Sequence, residues 1–351
     1  MLKRVIIKNF KEEKCQELFF SSVFTIQNLE EIPQNSSRDF FVFHPFEVNK
    51  NKIIVGEVNS IKPFLIDRKD SGKYLPEKST GISKEDYTLK ITSLINEIKS
   101  KKYQKVVFSR KISFDITSPE VENIFIELTN EYKNAYCYLV ELNNGQSWLG
   151  ATPEQLIKCN TAQYCEVVSL AGTKQIDSDE ASSWGDKEKQ EQLVVTDFIV
   201  KNLKALSINP KTGNVKEVNA GKLKHLKTTI SFTLNSAEKL LKIINSLHPT
   251  PAVCGIPKEK SKKYILNNEE YNREYYTGFL GLINLKKINC NLVVNLRSMK
   301  VVSNKTHIFV GGGITLDSNP LDEWYETENK SYTLRKILEK MKVKLRNEII
   351  E

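Results

Sequence analysis

Segments with the apolar spacing of amphipathic helices alternate along the chain with strand-like segments, and this alternation limits the folds open to it. Ser83 is a predicted helix cap, and apolar residues follow it at helical spacing over residues 84–100. The next segment, 105–114, is rich in β-branched and aromatic residues, which favours a strand. Because strands and helices exchange in this way along most of the chain, the sequence predicts a large mixed-sheet α/β fold.

The same patterns locate the remaining elements. Asn143-Asn144-Gly145 is a turn signal between two strands. Residues 1–82 indicate only short strands and carry no motif, so we predict an N-terminal variable part of the same fold there and a catalytic region over 83–351. Further helices are predicted near 119–133, 186–206 and 236–247 and from Asp322 onward, and further strands near 4–7, 40–43, 53–58, 135–142, 147–158, 163–170, 290–300 and 306–311.

Several classes of protein are excluded by what the sequence lacks. No apolar run reaches the roughly 18–20 residues of a membrane-spanning helix. The first ten residues are too charged for a secretory signal, so we predict a cytoplasmic protein without membrane contact. The six cysteines form no CxxC pair and the four histidines show no zinc spacing. In a reducing cytosol we expect the cysteines, at positions 15, 137, 159, 165, 254 and 290, to pack as small apolar residues.

The net charge of +9 leaves three interpretations open. A basic surface is typical of nucleic-acid-binding proteins, but here the lysines are spread through the chain, and no basic run interleaves with aromatic residues. The excess is also explained by a Lys-rich surface without special function, or by attraction of a small dianionic substrate. We therefore predict no nucleic-acid partner, and keep a non-catalytic basic binding protein as the last alternative.

The predicted last helix carries charged residues on its apolar side. Glu323, Glu326 and Lys330 lie close to the stripe that contains Ile337 and Met341. Carboxylates that face the protein interior need a cation or a proton. The alternative is a solvated first turn whose acids complement the helix dipole.

The helix predicted over residues 186–206 repeats this pattern. Glu188 and Glu191 are three residues apart, and the spacing of Val194 and Val195 places Glu191 on the apolar stripe. Two helices with inward-facing Glu-x-x-Glu would together form a site of hard oxygen ligands. Such a site suits Mg²⁺, which takes few protein ligands and several waters.

Further positions combine charge or flexibility with apolar surroundings. Gly311-Gly312-Gly313 follows a strand and allows backbone amides to approach an anion closely. Arg297 lies in an apolar strand, where an arginine pairs with a carboxylate of the protein or of a ligand. Lys105 could act as a base and Glu154 as an acid, because burial lowers the pKa of a lysine and raises that of a glutamate. For each residue alone, a structural role explains the pattern equally well.

Seven segments together resemble the chorismate-utilising enzymes, and within them the isochorismate synthases. They occur in the family's order from about residue 83 to residue 345, which is specific, because a single match could arise by chance. The resemblance implies the family's fold, α/β (α+β) with large mixed, mostly antiparallel sheets and helices packed outside. The segments are Lys105-Val-Val-Phe-Ser-Arg, Trp148-Leu-Gly-Ala-Thr-Pro-Glu-Gln-Leu, Leu170-Ala-Gly-Thr-Lys, Leu247-His-Pro-Thr-Pro-Ala-Val-Cys-Gly-Ile-Pro, Arg273-Glu-Tyr-Tyr-Thr-Gly, Val294-Asn-Leu-Arg297, and Gly311-Gly-Gly-Ile with Glu323-Trp-Tyr-Glu-Thr-Glu-Asn-Lys330.

The resemblance also implies a cofactor and a substrate-binding set. Glu191 and Glu326 match the family's magnesium ligands, and Glu188 and Glu323 match acids that hold metal-bound waters. The metal would bind the ring carboxylate of chorismate. The residues that match substrate contacts are Lys330 with the amides near Gly311, Gly312 and Gly313 for carboxylate oxygens, Arg297 and Tyr276 for the enolpyruvyl carboxylate, and Thr173 and His248 along the ring pocket.

The implied reaction adds water at ring C2 and expels the C4 hydroxyl, so the enzyme would be an isomerase. Lys105 matches the base that activates water, and Glu154 matches the acid that protonates the leaving hydroxyl. Ammonia-using relatives, such as anthranilate synthase, usually carry Gln where this chain has Lys105. Aminodeoxychorismate synthases carry a lysine where this chain has Ala171. Both positions therefore favour water as the nucleophile.

Salicylate synthases are the first alternative, because they share the lysine base but also eliminate pyruvate from isochorismate. The chain departs from the usual family pattern at Gln192, where His is common, and at Gln155, where Arg is frequent. The resemblance predicts a monomer without a glutamine amidotransferase subunit. Its product would feed menaquinone or siderophore biosynthesis, with menaquinone the first expectation.

Overall fold

The computed structural model describes residues 1–65, 79–115, 120–175, 184–220 and 223–348. Within these ranges the chain forms α-helices and β-strands in the alternating order that the sequence predicts. The helices are α1 (Lys84–Lys99), α2 (Val121–Glu131), α3 (Asp186–Ala205), α4 (Ala237–Leu247), α5 (Lys258–Asn268) and α6 (Pro320–Glu348). The strands are β1 (Leu2–Lys8), β2 (Gln16–Ile26), β3 (Phe40–His44), β4 (Ile53–Pro63), β5 (Lys105–Asp115), β6 (Tyr136–Leu142), β7 (Gln146–Thr152), β8 (Gln155–Cys159), β9 (Tyr164–Gln175), β10 (Lys211–Thr212), β11 (Lys216–Ala220), β12 (Leu223–Thr233), β13 (Gly255–Ile256), β14 (Phe279–Asn284), β15 (Asn289–Val294), β16 (Ser298–Val302) and β17 (Lys305–Ile314).

All described strand pairings are antiparallel, so the fold is α+β rather than parallel α/β. The pairings follow one path, β13–β5–β17–β16–β7–β6–β1–β2–β4–β3–β14–β15–β8–β9–β12, and β10 and β11 both pair with β12. Strands β1–β4 lie in the middle of this path. The first 65 residues therefore join two halves of the sheet, β5 to β7 with β16 and β17 on one side, and β8, β9, β12, β14 and β15 on the other.

The two halves of the sheet pack against each other, and the helices cover their outer faces. An aromatic cluster lies between the halves and includes Phe43, Trp148, Tyr275 and Phe309. On the outer faces, α3 and α4 pack over β8, β9, β12 and β14, while α2 and α6 pack over β6, β7, β16 and β17. Helices α1 and α5 cover β5. This layering confirms the predicted arrangement, in which helices pack outside large, mostly antiparallel sheets.

Five predicted helices are confirmed within a few residues of their expected bounds. Ser83 caps α1, where its Oγ accepts a hydrogen bond from the Asp86 amide at 3.0 Å. Helix α5 is the one described helix that the periodicity does not reveal, because it buries only Ser261, Tyr264 and Ile265. The described part of the chain contains no helix with the length and apolar character of a membrane span.

The expectation for the cysteines is wrong for one pair. Cys159 and Cys165 form a disulfide, because the short hairpin of β8 and β9 places them directly opposite each other. Cys290, on the neighbouring strand β15, lies opposite Cys159 but remains a thiol. The other three cysteines, at 15, 137 and 254, are buried and free, as expected.

Candidate active site

The end of β17 forms one wall of a cavity. Strand β17 pairs with β16 as far as Ile308, and beyond that point its described pairing is with β5 alone. The other edge of the glycine run, with Gly311 and Gly313, is therefore open to the cavity. Lys105, at the start of β5, lines the same cavity with a side chain that is only 5% exposed.

Two helices direct carboxylates toward this wall. Helix α3 contributes Glu191, whose Oε1 lies 2.6 Å from Lys105 Nζ. Helix α6 contributes Glu326, whose Oε1 accepts a hydrogen bond from Lys330 Nζ at 2.5 Å. Lys330 Nζ also donates to the Gly311 carbonyl at 2.9 Å. Glu191 and Glu326 thus face the cavity, where each is bonded to a lysine, and their side chains are 23% and 36% exposed.

The glycine run leaves room for these groups. A Cβ on Gly313 would lie 2.6 Å from Lys105 Cε and 3.0 Å from Glu191 Oε1. A Cβ on Gly312 would lie 2.8 Å from Glu323 Oε2. Glu323 is buried and accepts a hydrogen bond from Ser318 Oγ at 2.6 Å. Acids from α3 and α6 thus approach the same segment, where a side chain on Gly312 or Gly313 would displace them.

The arrangement of these acids is compatible with magnesium and not with a structural zinc site. Among the described residues, no three acidic, histidine or cysteine side chains converge as a closed metal cluster. Mg²⁺ needs no such cluster, because it takes one or two carboxylates and completes its shell with waters and substrate oxygens. Glu191 and Glu326 would hold it, with Glu188 and Glu323, which line the same cavity, as outer partners.

Glu154 lies on the cavity wall in the turn between β7 and β8. Its backbone is fixed there because its amide donates to Thr152 Oγ1 and its carbonyl accepts from the Val294 amide. Burial raises the pKa of the Glu154 carboxyl to about 8, although Lys105 and Lys330 partly offset the rise. At neutral pH this carboxyl is therefore mainly protonated and can donate a proton.

Arg297 supplies a positive charge in the same cavity. Its guanidinium donates to Thr333 Oγ1 at 2.8 Å, and burial lowers its pKa. No carboxylate of the described residues lies within ion-pair distance of it, in contrast to the two lysines. A buried guanidinium without an acidic partner favours an anion from outside the protein. Tyr276 lines the cavity beside it and stacks on Phe309, with ring centroids 5.3 Å apart.

The structure brings most of the predicted site residues into this one cavity, which encloses about 1070 Å³, partly open to solvent. Thr173 lies opposite His225 in the pairing of β9 with β12, but its side chain is outside the described part of the structure. Gly312 does not line the cavity, but it lies next to the Glu323 carboxylate. The predicted residues that line the cavity are Lys105, Glu154, Glu188, Glu191, Tyr276, Arg297, Gly311, Gly313, Glu323, Glu326 and Lys330.

His248 lies elsewhere, in contrast to the prediction that it lines the ring pocket. It ends α4, and its Nε2 is 3.2 Å from the Pro45 carbonyl oxygen. Its ring packs edge-on against His44, with centroids 4.8 Å apart. The motif Leu247-His-Pro-Thr-Pro-Ala-Val instead reaches the cavity through Ala252 and Val253, because the loop after His248 turns the chain back toward β5.

His225 lies in the cavity wall, although no sequence pattern predicted it as a site residue. Its Nδ1 lies 3.1 Å from the Gly172 carbonyl oxygen, and burial, followed by Arg297 and Lys330, lowers its pKa to about 4. It is therefore neutral at physiological pH. Only its position on β12, opposite the Gly172-Thr173 segment of β9, marks it as a site residue, and strand pairing of this kind is not visible in the sequence.

Comparison with known families identifies the class of protein that has this fold and this site. The family model described as "Chorismate binding enzyme" matches residues 51–339. Because the match covers most of the chain, including β5, α3, β17 and the acidic turns of α6, the protein belongs to the chorismate-binding enzymes.

Individual relatives point to one branch of this family. The chain is 28% identical over 244 residues to the isochorismate synthase MenF of Escherichia coli (strain K12), covering 67% of this chain and 56% of MenF. It is 29% identical over 240 residues to the isochorismate synthase EntC of the same organism, covering 66% of this chain and 61% of EntC. The matched stretch thus spans less than two thirds of either relative.

Solved structures share the fold. The structure of E. coli MenF, described as the menaquinone-specific isochorismate synthase, superposes with a TM-score of 0.84 at 19% identity, over 95% of this chain and 88% of that one. Anthranilate synthase component I from Streptococcus pneumoniae superposes with a TM-score of 0.72 at 15% identity, over 95% and 92%. At these identities the likeness establishes the fold alone.

Proposed function

We propose that this protein is a magnesium-dependent isochorismate synthase, an isomerase that converts chorismate to isochorismate. The proposal rests on a lysine and a buried carboxyl with a raised pKa that line the same cavity. Lys105 can serve as a base and Glu154 as an acid, as addition of water and loss of hydroxide require. The relatives named as isochorismate synthases support the same activity.

In the proposed reaction, water attacks ring C2 while its proton passes to Lys105 Nζ. The ring double bonds shift, the bond from C4 to its hydroxyl breaks, and Glu154 gives that oxygen a proton, so that water leaves. One water enters and one departs, so the product is an isomer of the substrate. Lys105 accepts a proton only as the neutral amine, so its contact with Glu191 must first break. After the reaction Lys105 releases the proton it took from water and Glu154 regains one from solvent, which restores the starting state.

Binding uses the cations that the cavity presents. Arg297 would hold the enolpyruvyl carboxylate with Tyr276 beside it, and Lys330 would hold the ring carboxylate. A bound magnesium ion would neutralise the negative charge that develops near the ring carboxylate. Glu191 and Glu326 are the residues that would hold this ion.

The product would enter menaquinone biosynthesis or siderophore biosynthesis. The similarity to MenF, in sequence and in fold, supports menaquinone as the first choice. The similarity to EntC keeps the second route as an alternative.

The test is an NMR assay of the purified chain with chorismate, with and without magnesium, and with ammonium in a parallel sample. We expect a magnesium-dependent mixture of chorismate and isochorismate without pyruvate. Pyruvate with salicylate would indicate a salicylate synthase. Pyruvate with an aminobenzoate, formed only when ammonium is present, would indicate an ammonia-using synthase. An unchanged spectrum from folded protein with magnesium would contradict the proposed activity.

A further inference from the structure

A second, larger cavity opens next to the catalytic one. The two cavities share Pro153, Leu170 and Arg297 in their linings, so they are adjacent. The second encloses about 2180 Å³, partly open to solvent, and we call it the outer groove. Its walls are residues 9–12, residues 131–135 and the neighbouring parts of β8, β9 and β12.

Positive charge dominates the outer groove. Lys11, Lys133, Lys158 and Lys227 line it, and Arg297 lies where it meets the catalytic cavity. None of the four lysines lies within ion-pair distance of a carboxylate of the described residues. The two acids that line the groove are Glu12 and Glu131. Glu131 is already bonded to two lysines of α6, Lys336 and Lys340, so its charge is compensated from outside the groove.

A row of side-chain amides also lines the groove, among apolar residues and without a further acid. Gln155 Nε2 donates to Asn291 Oδ1 at 2.7 Å, and Asn291 Nδ2 donates to Asn9 Oδ1 at 3.0 Å. This row of amides connects β8, β15 and the loop after β1. Its polar atoms can solvate an anion without repelling it.

The side chains that line the catalytic cavity do not by themselves favour a dianion. Three cations line it, Lys105, Arg297 and Lys330, against five carboxyl groups on Glu154, Glu188, Glu191, Glu323 and Glu326. Even with Glu154 neutral, the acids outnumber the cations until a magnesium ion is bound. The lysines of the adjacent outer groove add positive charge next to Arg297, which lines both cavities.

We propose that the outer groove is an anion-binding entrance, in which the four unpaired lysines capture a small dicarboxylate dianion and pass it to Arg297. This inference rests on the proposed function, because it takes the substrate to be such a dianion. Charges that line an entrance raise the association rate without contacting the reacting atoms. The lysines should therefore affect kcat/KM and leave kcat unchanged.

The experiment replaces three groove lysines together, Lys133→Gln, Lys158→Gln and Lys227→Gln, in the full chain. The matched control is the triple variant Lys99→Gln, Lys239→Gln and Lys286→Gln, which removes the same charge from exposed positions that do not line either cavity. Steady-state turnover of chorismate is measured for both variants and the wild type with saturating magnesium, at about 20 mM and about 500 mM ionic strength.

At low ionic strength, we expect the groove variant to lose about tenfold in kcat/KM, with kcat within about twofold of wild type. The loss should shrink to less than about twofold at high ionic strength, because salt screens these charges. The control variant should match the wild type. Three results would contradict the proposal that the outer groove is an entrance. They are equal losses of kcat/KM in the groove and control variants, a loss of kcat in the groove variant, and an unchanged kcat/KM in the groove variant. If the wild type does not turn over chorismate, the proposed function fails instead.

Discussion

At the scale of single residues, the chemistry depends on how deeply each charged group is buried. The sequence predicted that Glu154 is an acid with a raised pKa, and the structure supplies the cause, burial at the turn between β7 and β8. The sequence could not show the contact of Lys105 with Glu191, because these residues belong to different elements that meet only in the folded chain. His225 was missed for the same reason.

The raised pKa of Glu154 makes the proposed activity depend on pH. A general acid works in its protonated form, which exists below its pKa and is lost as pH rises through that value. We therefore expect kcat/KM to fall above about pH 8, by about tenfold per pH unit.

Glu154→Gln should lower kcat by about 10²–10⁴ at pH 7 without changing the circular dichroism spectrum. A variant with near-normal turnover would contradict the role of Glu154 as the acid.

Gly313 tests how tightly the active site is packed. In Gly313→Ala, the new methyl group would lie 2.6 Å from Lys105 Cε and would push Lys105 or Glu191 aside. Because small misplacements of catalytic groups are costly, we expect kcat to fall by about 10²-fold. The control is Gly213→Ala, where the nearest atom lies at 3.2 Å and belongs to Thr229, away from the cavity. Equal activities in the two variants would mean that Gly313 does not limit the position of Lys105.

At the scale of elements, the sequence predicts helices better than it predicts their contacts. Apolar spacing predicted α3 and α6, which is confirmed, and placed their acids on the apolar side, where they line the cavity. The same reasoning missed α5, which buries only three residues. The family resemblance, in turn, placed His248 in the ring pocket, whereas the end of α4 packs that ring against His44.

Arg110 holds α6 in the orientation that the site needs. Its buried guanidinium donates to Thr327 Oγ1 at 2.8 Å, bonds to Glu328, and lies 4.0 Å from the Trp324 ring. These contacts tie the first turns of α6 to β5. We expect Arg110→Met to lower the free energy of unfolding by about 2 kcal/mol, because it removes the buried hydrogen bond to Thr327 and one of the two arginine partners of Glu328, which keeps Arg335. Urea denaturation measures this change.

A second ion pair on the same helix provides the control for Arg110. Lys336 contacts Glu131 but is one third exposed, and exposed pairs contribute little. Lys336→Met should therefore lower the free energy of unfolding by no more than about 1 kcal/mol. If the two variants were equally stable, Arg110 would not be the contact that fixes α6.

At the scale of the whole molecule, the sequence revealed the fold class but not the course of the sheet. Residues 1–65 carry no motif, yet β1–β4 complete the centre of the sheet between its two halves. Long-range pairing of this kind is set by burial on both faces of a strand, as in β3, where all five residues are buried. The disulfide between Cys159 and Cys165 likewise follows from hairpin register rather than from cysteine spacing.

His44, on β3, packs against His248 at the end of α4, and its burial makes global stability depend on pH. Burial lowers the pKa of His44 to about 4, so the folded protein keeps this ring neutral. The stabilisation is complete above the unfolded pKa of about 6.5 and is lost as pH falls toward 4, by about 3 kcal/mol. Urea denaturation between pH 7 and pH 4 should show a smaller loss in His44→Gln than in wild type. An equal loss of unfolding free energy between pH 7 and pH 4 in His44→Gln and wild type would contradict a buried, neutral His44.

The proposed exchange of water for hydroxide can be followed directly with an isotope. Purified protein is supplied with magnesium and chorismate in ¹⁸O-labelled water, and the product is analysed by mass spectrometry and NMR. We expect isochorismate that carries one heavy oxygen, at C2, because the attacking water becomes the new hydroxyl. Unlabelled isochorismate would contradict the assignment of Lys105 as base and Glu154 as acid, and absence of isochorismate would contradict the proposed function itself.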